Sequence, residues 1–354
     1  MHAEISQALG ISGGNPQDVD RELRARLDQY HLEIFHRTQA ETTKRWTYEQ
    51  EIKRPYFHVT ELDDGQLANW SKYLDFEEGE GDFKRTSFLY ERCLVTAAHY
   101  DEFWQRYVRW MYAHVGKNEE VRNIFQRASC LYTPIARPAI RLQWALFEES
   151  CDRPSVASAI YEAILLVMPD HVEAIMCLAN LQRRQEGHQS AVAVYQQYLN
   201  SPECSSQTKG TLVSEMARLT YQMTGSADES RTIFETHKQS LLDSEPFWNG
   251  HLAFELDQPV TASTEAAQNQ RVRAVHDDLR KKNRLAPDAV KNLSQQYMRF
   301  LARRGGRNAA IEYMALDTEV NGPASAASLI RIKNAGAEKT AARIPTTNGH
   351  GAAA

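Results

Sequence analysis

Large apolar side chains recur along the chain in short sets spaced by three, with polar residues between them. Trp70, Tyr73 and Phe76 are followed by Trp104, Tyr107 and Trp110, then by Trp144 and Phe147, and later by Trp248, His251 and Phe254. Steps of three place these side chains on one helical face, a stripe wide enough to cover a neighbouring helix. Ile175, Leu178 and Leu181 keep the spacing without the rings. A second pattern follows each stripe, in Leu89-Tyr90-Glu91-Arg92, Ile124-Phe125-Gln126-Arg127, Ile160-Tyr161-Glu162-Ala163, Val194-Tyr195-Gln196-Gln197 and Ile233-Phe234-Glu235-Thr236. The aromatics of these five segments lie 35, 36, 34 and 39 positions apart. A near-constant period of this size marks stacked repeat units.

Glycine and proline punctuate the same period. Gly79/Gly81, Gly116, Asp152-Arg153-Pro154, Gly187, Gly225 and Gly305-Gly306 fall between a stripe and the segment after it, and Pro134, Pro169, Pro202, Pro246 and Pro287 fall between units. Glycine suits the left-handed end of one helix, and proline suits the first turn of the next. The expected fold is therefore all-α, an α-solenoid of six to seven stacked helix-turn-helix hairpins over residues 66–318. Residues 1–15 read as a flexible leader. Residues 16–65 read as an N-terminal helix, with Leu23, Leu27, Tyr30 and Ile34 at steps of 4, 3 and 4, and a linker begun by Lys53-Arg54-Pro55-Tyr56-Phe57. Residues 319–354, rich in Ala, Gly, Ser and Thr, read as a disordered tail.

Composition supports helix. The 354 residues include only 17 glycines and 12 prolines, about 8% against the roughly 12% of average usage. No apolar run approaches the roughly 20 residues needed to span a bilayer, so no membrane segment is expected. Met1-His2-Ala3-Glu4 has no basic or apolar signal character, so secretion is not expected either. Cys93, Cys130, Cys151, Cys177 and Cys204 are odd in number and widely spaced. They read as reduced thiols of an intracellular protein, and zinc is disfavoured.

The rings and acids have plain structural readings. Regular spacing makes Trp70, Tyr73, Phe76, Tyr90, Trp104, Tyr107, Trp110, Phe125, Trp144, Phe147, Tyr161, Tyr195, Phe234, Trp248 and Phe254 a repeat core rather than a base-stacking platform. Glu77, Glu148 and Glu255 recur at one repeat position and are expected to hydrogen-bond or pair within their hairpins. Gly10-Ile11-Ser12-Gly13-Gly14 matches a nucleophile elbow with no strand before it. Neither a metal-ligand spacing nor a phosphate loop occurs, so no catalytic residue, cofactor or metal is assigned.

The formal charge of −5 divides unevenly: residues 271–354 carry 15 basic and 7 acidic side chains. Arg273, Arg280, Lys281, Lys282, Arg284, Arg303 and Arg304 are candidate contacts for RNA phosphate or an acidic partner. A solvated basic helix face is the competing reading.

The residue choice resembles a known family. Trp70-x-x-Tyr73-x-x-Phe76-Glu77 with Tyr90-Glu91-Arg92 looks like a half-a-tetratricopeptide (HAT) repeat, typical of RNA-processing scaffolds. Lys44-Arg45-Trp46-Thr47-Tyr48-Glu49 through Ile52-Lys53-Arg54-Pro55-Tyr56-Phe57-His58-Val59, with Phe103-Trp104 and Trp144–Glu149, is similar to the C-terminal half of the pre-mRNA-processing factor thirty-nine family over about residues 44–260. The family usually carries a further N-terminal HAT block that this sequence lacks, which reads as a fragment or truncation. The resemblance implies a nuclear, non-catalytic scaffold of the U1 small nuclear ribonucleoprotein (U1 snRNP), acting in 5′ splice-site recognition. It also implies contacts with U1 snRNP proteins, a homodimer or paralogue heterodimer through the C-terminal repeats, and indirect or weak RNA contact. Alternatives are a HAT scaffold of mRNA 3′-end cleavage or rRNA processing, and a tetratricopeptide-type peptide-binding adaptor. The adaptor would need Lys, Arg or Asn side chains converging at matched positions, and none are found before residue 270.

Overall fold

A computed structural model describes residues 16–261 and 263–322. The expected leader, the Gly10–Gly14 match and most of the expected tail lie outside the described residues. Among the described residues all regular structure is helical. The helices are α1 (Pro16–Gln50), α2 (Asp64–Glu80), α3 (Phe83–Thr96), α4 (Asp101–Tyr112), α5 (Asn118–Arg127), α6 (Ala139–Ser150), α7 (Pro154–Val167), α8 (Val172–Glu186), α9 (His188–Asn200), α10 (Ser206–Thr224), α11 (Ala227–His237), α12 (Glu245–Leu256), α13 (Glu265–Lys282), α14 (Pro287–Arg304) and α15 (Ala309–Asn321). The fold is an all-α arrangement of stacked helical repeats, as the spacing predicts. α15 continues to Asn321, past the expected start of the tail.

The chain divides into two compact units, Met1–Cys151 and Asp152–Ala354. In the first, α2 and α3 pack side by side, α4 packs on α3 and on α5, and α6 packs on α4 and α5. A five-residue widened π turn, Ala128–Tyr132, extends α5 before the chain enters α6. Trp70, Tyr73, Tyr90, Trp104, Tyr107 and Phe125 are buried in this unit's core. In the second unit each helix from α8 to α11 and from α13 to α15 packs on the one before it, α12 meets α10 and α14, and side chains join α12 to α11. Its core is more aliphatic, with Ile175, Leu178 and Leu181 buried beside Tyr161 and Tyr195.

Local chemistry sets the helix ends. Side-chain oxygens of Asp63, Asp82, Ser205, Ser226 and Ser244 accept backbone N–H groups of the first turns they precede. These bonds satisfy donors that a helix cannot pair internally. Gly81 and Gly225 end α2 and α10 with φ of 76° and 70°. Asp152 takes the corresponding place after α6 with φ of 60°, a conformation Asp tolerates better than most side chains. Gly305 differs from its counterparts, with extended backbone at φ −65° and ψ 152°.

Where α10 crosses α12 the backbones approach closely. A Cβ on Gly250 would fall 2.0 Å from Ser214 Oγ, and one on Gly210 would fall 2.0 Å from Ser244 Oγ. Neither glycine belongs to the repeat pattern, and only this crossing explains them.

Candidate functional site

The repeating chemistry lies at the joints where the second helix of one pair meets the first helix of the next. At four of these joints the ring of the second helix lies flat on a ring of the following stripe. Within the first unit Tyr48 stacks on Tyr73 with centroids 5.0 Å apart, and Tyr90 stacks on Tyr107 at 4.5 Å. Within the second, Phe234 stacks on His251 at 4.5 Å and His276 on Tyr297 at 4.2 Å. Each such pair contributes about 0.5–1.5 kcal/mol beyond the area it buries. Burial keeps the Tyr107 hydroxyl protonated, with its pKa pushed up to about 12.

The glutamates that end three of the stripes meet partners both inside and outside their own hairpins. Glu77, Glu148 and Glu255 are almost fully buried. Each takes a forked bond from an arginine of the preceding second helix, or of α1 for Glu77. Within their own hairpins, Glu148 also accepts from Trp144 Nε1 at 2.9 Å and Glu255 pairs with Arg271 of α13 at 3.6 Å. Arg45 of α1 holds Glu77 through Nε and Nη2. Arg122 of α5 holds Glu148 at 2.7 and 3.0 Å, and Arg231 of α11 holds Glu255 at 2.7 and 3.2 Å. Arg45 and Arg122 also lie over the rings of Phe76 and Phe147, at 5.3 and 5.7 Å. The three arginines are the residues that the sequence pattern did not single out. Their signal is covariation within the chain: each stands three places before the second-helix aromatic at a joint whose next stripe ends in Glu, although Arg273 holds the same place before His276 where the next stripe ends in Leu301. Where Ser87 and Ser158 hold that place, the stripe ends in Met111 and Gln182.

The aromatic-Glu-Arg segments form a second set of bonds. Arg92 of α3 makes a fork to Glu49 of α1 at 2.8 and 3.0 Å. Arg127 of α5 makes one to Glu91 of α3, both arms at 2.8 Å. The hydroxyls of Tyr73 and Tyr107 donate to the same two carboxylates, Glu49 and Glu91. Bonds from Arg92 hold the Glu49 carboxyl below its ordinary range. For Glu91, burial opposes ionisation, but bonds from Arg127 and Tyr107 outweigh it. On α1, bonds from Lys44, Arg45 and Arg85 bring the Glu41 carboxyl down to about 2. Thus Arg45, Tyr48 and Glu49 place the end of α1 in the role of a repeat's second helix.

The core residues are placed as follows. Trp70, Tyr73, Tyr90, Trp104, Tyr107, Phe125, Phe147, Tyr161, Tyr195, Phe234, Trp248 and Phe254 are buried. Phe76, Trp110 and Trp144 are half-buried. Trp144 is offset by one step relative to the other tryptophans. Counting back from the stripe's Glu, it stands where Tyr73 does, and Arg141 stands where Trp70 does. The Trp104 and Trp248 indoles donate to the carbonyls of Ala98 and Leu242 in the preceding loops. Arg141 makes the equivalent bonds, to the carbonyls of Thr133 and Pro134 at 2.7 and 3.0 Å.

The candidate cations separate into two groups. Arg273 pairs with Glu312 at 3.3 Å, Arg280 pairs with Glu319, and Lys282 pairs with Asp278 at 2.7 Å. Arg304 donates to the Leu256 carbonyl at 3.4 Å. Lys281, Arg284 and Arg303 are exposed, and no side-chain partner meets them among the described residues. The described residues hold no group of three or more side chains able to bind a metal ion. No helix among them is long and apolar enough to cross a membrane.

Comparison with known proteins matches these features to a family. The family model described as PRP39 C-terminal HAT repeat matches residues 43–184, beginning two residues before Arg45. Pre-mRNA-processing factor 39 of Schizosaccharomyces pombe is 42% identical over 367 residues, covering 99% of this chain and 60% of that protein. Those of Xenopus laevis and Homo sapiens are 33% and 29% identical, covering 60% and 79% of this chain. This chain covers 32% and 40% of those two proteins, so it spans at most three-fifths of the length of these relatives.

Proposed function

Because the chain is a HAT-repeat protein resembling the C-terminal half of pre-mRNA-processing factor 39, we propose that it is a non-catalytic scaffold of the U1 snRNP in pre-mRNA splicing. It works in the nucleus at 5′ splice-site recognition. The observation that carries this reading is the 42% identity to the fission yeast protein along nearly the whole chain. The joints are consistent with a scaffold: their buried carboxylates are held by arginines of neighbouring helices, and buried His276 meets Ser294 at 3.2 Å. Stacked helical pairs offer broad surfaces that suit protein partners.

In this reading the partners are U1 snRNP proteins, and two copies or two paralogues join through the C-terminal repeats. Ile311 and Met314, 74% and 62% exposed on α15, support that choice of surface. Purification of the tagged chain from nuclear extract tests the function. Recovery of U1 RNA with its proteins is expected, and recovery of cleavage factors, ribosomal RNA factors or chaperones in their place overturns it. Light scattering at micromolar concentration tests the association, which a monomer mass alone would refute.

A further inference from the structure

Once the internal ion pairs are assigned, the basic excess of the C-terminal helices reduces to a short set. Lys281, Arg284, Lys291, Arg299, Arg303 and Arg307 are exposed, with no side-chain hydrogen bond or ion pair among the described residues. Three of them share the outward face of α14. Lys291, Arg299 and Arg303 stand at steps of eight and four, a row about 18 Å long at 1.5 Å per residue. The opposite face, with Leu293, Tyr297, Met298, Phe300 and Leu301, is buried. Asp288, in the first turn, is the single acid of α14. Lys281 and Arg284 lie just before this helix, and Arg307 lies just after it.

We propose that this row on α14 is a binding surface for the phosphate backbone of a nucleic-acid duplex, held without reading its bases. Three observations select that partner. A protein partner needs a buried aromatic or apolar anchor at the centre of its contact, and the outward face of α14 offers only Ala302. A single strand needs exposed rings on which bases stack. The rings of α14 and α15 are turned away from that task, since Tyr297 and Phe300 are buried and Tyr313 packs half-buried against the core. A duplex requires neither, because its regular phosphates are met by spaced cations alone. The choice of RNA over DNA rests on the proposed splicing role, whereas the duplex surface itself does not.

Fluorescence anisotropy with the full chain tests this. The probes are two 24-base-pair RNA duplexes of unrelated sequence, a DNA duplex, a single-stranded RNA and a Glu-rich peptide. Equal affinity for the two RNA duplexes is expected. Three or four neutralised phosphates predict a loss of roughly 40- to 150-fold in affinity between 50 and 200 mM salt. K291E/R299E/R303E abolishes binding, R299K/R303K stays within about threefold of the wild type, and K72E/R109E, on the other unit, changes nothing. Melting curves confirm that each variant is folded. Wild-type affinity in the triple reversal overturns the surface, as does tighter binding of the single strand or of the peptide. A preference for the DNA duplex overturns the choice of RNA. The U1 reading is judged separately, by the copurified RNA.

Discussion

Arg45→Ser tests whether the buried fork at a joint supports the fold. The substitution leaves the Glu77 carboxylate, only 3% exposed, without the arginine that holds it. Removing one partner of a buried pair typically costs about 3–5 kcal/mol, because the remaining charge is uncompensated. Arg45 also contacts Glu41 at 2.7 Å and lies over Phe76, contacts that together contribute about 1 kcal/mol. The chain contains its own apolar form of the joint, in which Ser87 and Met111 hold the two positions and Met111 is 3% exposed. Arg45→Ser combined with Glu77→Met copies that form. It should be at least about 2 kcal/mol more stable than Arg45→Ser alone, although the second change removes a further native side chain. Native-state hydrogen exchange of the α2 amides reads the local opening free energy directly. The reasoning fails if Arg45→Ser costs less than about 1 kcal/mol, or if the double variant shows the plain sum of the single losses.

Three further outcomes are expected. Burial brings the pKa of His251 down to about 3 and that of His276 down to about 4. The folded chain thus keeps both neutral while the unfolded chain takes up protons below about pH 6.5. Stability of the second unit is then full above pH 6.5 and falls with acidification, by about 2 kcal/mol per histidine at pH 5. The lowered carboxyls of Glu41, Glu49 and Asp278 respond only below about pH 4.5, so a melting temperature unchanged from pH 7 to 5 would refute the histidine effect. Gly250→Ala should destabilise the α10–α12 crossing by about 1–2 kcal/mol in urea melts, and Ser214→Gly in the same chain should relieve it. Exposed Cys130 should react with iodoacetamide at once, while Cys93, buried and with its thiol pushed up by burial, stays silent until the first unit opens. Equal rates for the two would contradict the core packing.

The period of the rings made the helical repeats legible, because burying a stripe on a neighbouring helix demands the same residue at the same phase. The forks were less legible. A single arginine on a helix is ordinary until the glutamate it meets is known, and Glu77 meets Arg45 from outside its own hairpin. Trp144 stands one step out of phase with Trp104 and Trp248, since Arg141 supplies from a different side chain the loop bonds that those two supply from an indole. The charge count could not separate Arg273 and Arg280, neutralised by Glu312 and Glu319 of α15, from Arg299 and Arg303, which meet no acid among the described residues. Gly210 and Gly250 carried no signal at all, because a close crossing is a property of two helices together.

The alternation of charged and apolar joints limits how such a chain can gain or lose parts. Excising α2 and α3 would set Arg45 against Met111, and excising α4 and α5 would set Ser87 against Glu148. Either edit buries a lone charge or leaves one without its counterpart. Removing all four helices instead brings Arg45 to Glu148 and restores a matched fork, an outcome that melting curves of the three shortened chains would read directly. In this stretch the heritable module is two hairpins long, so lineages should lengthen or shorten it in pairs.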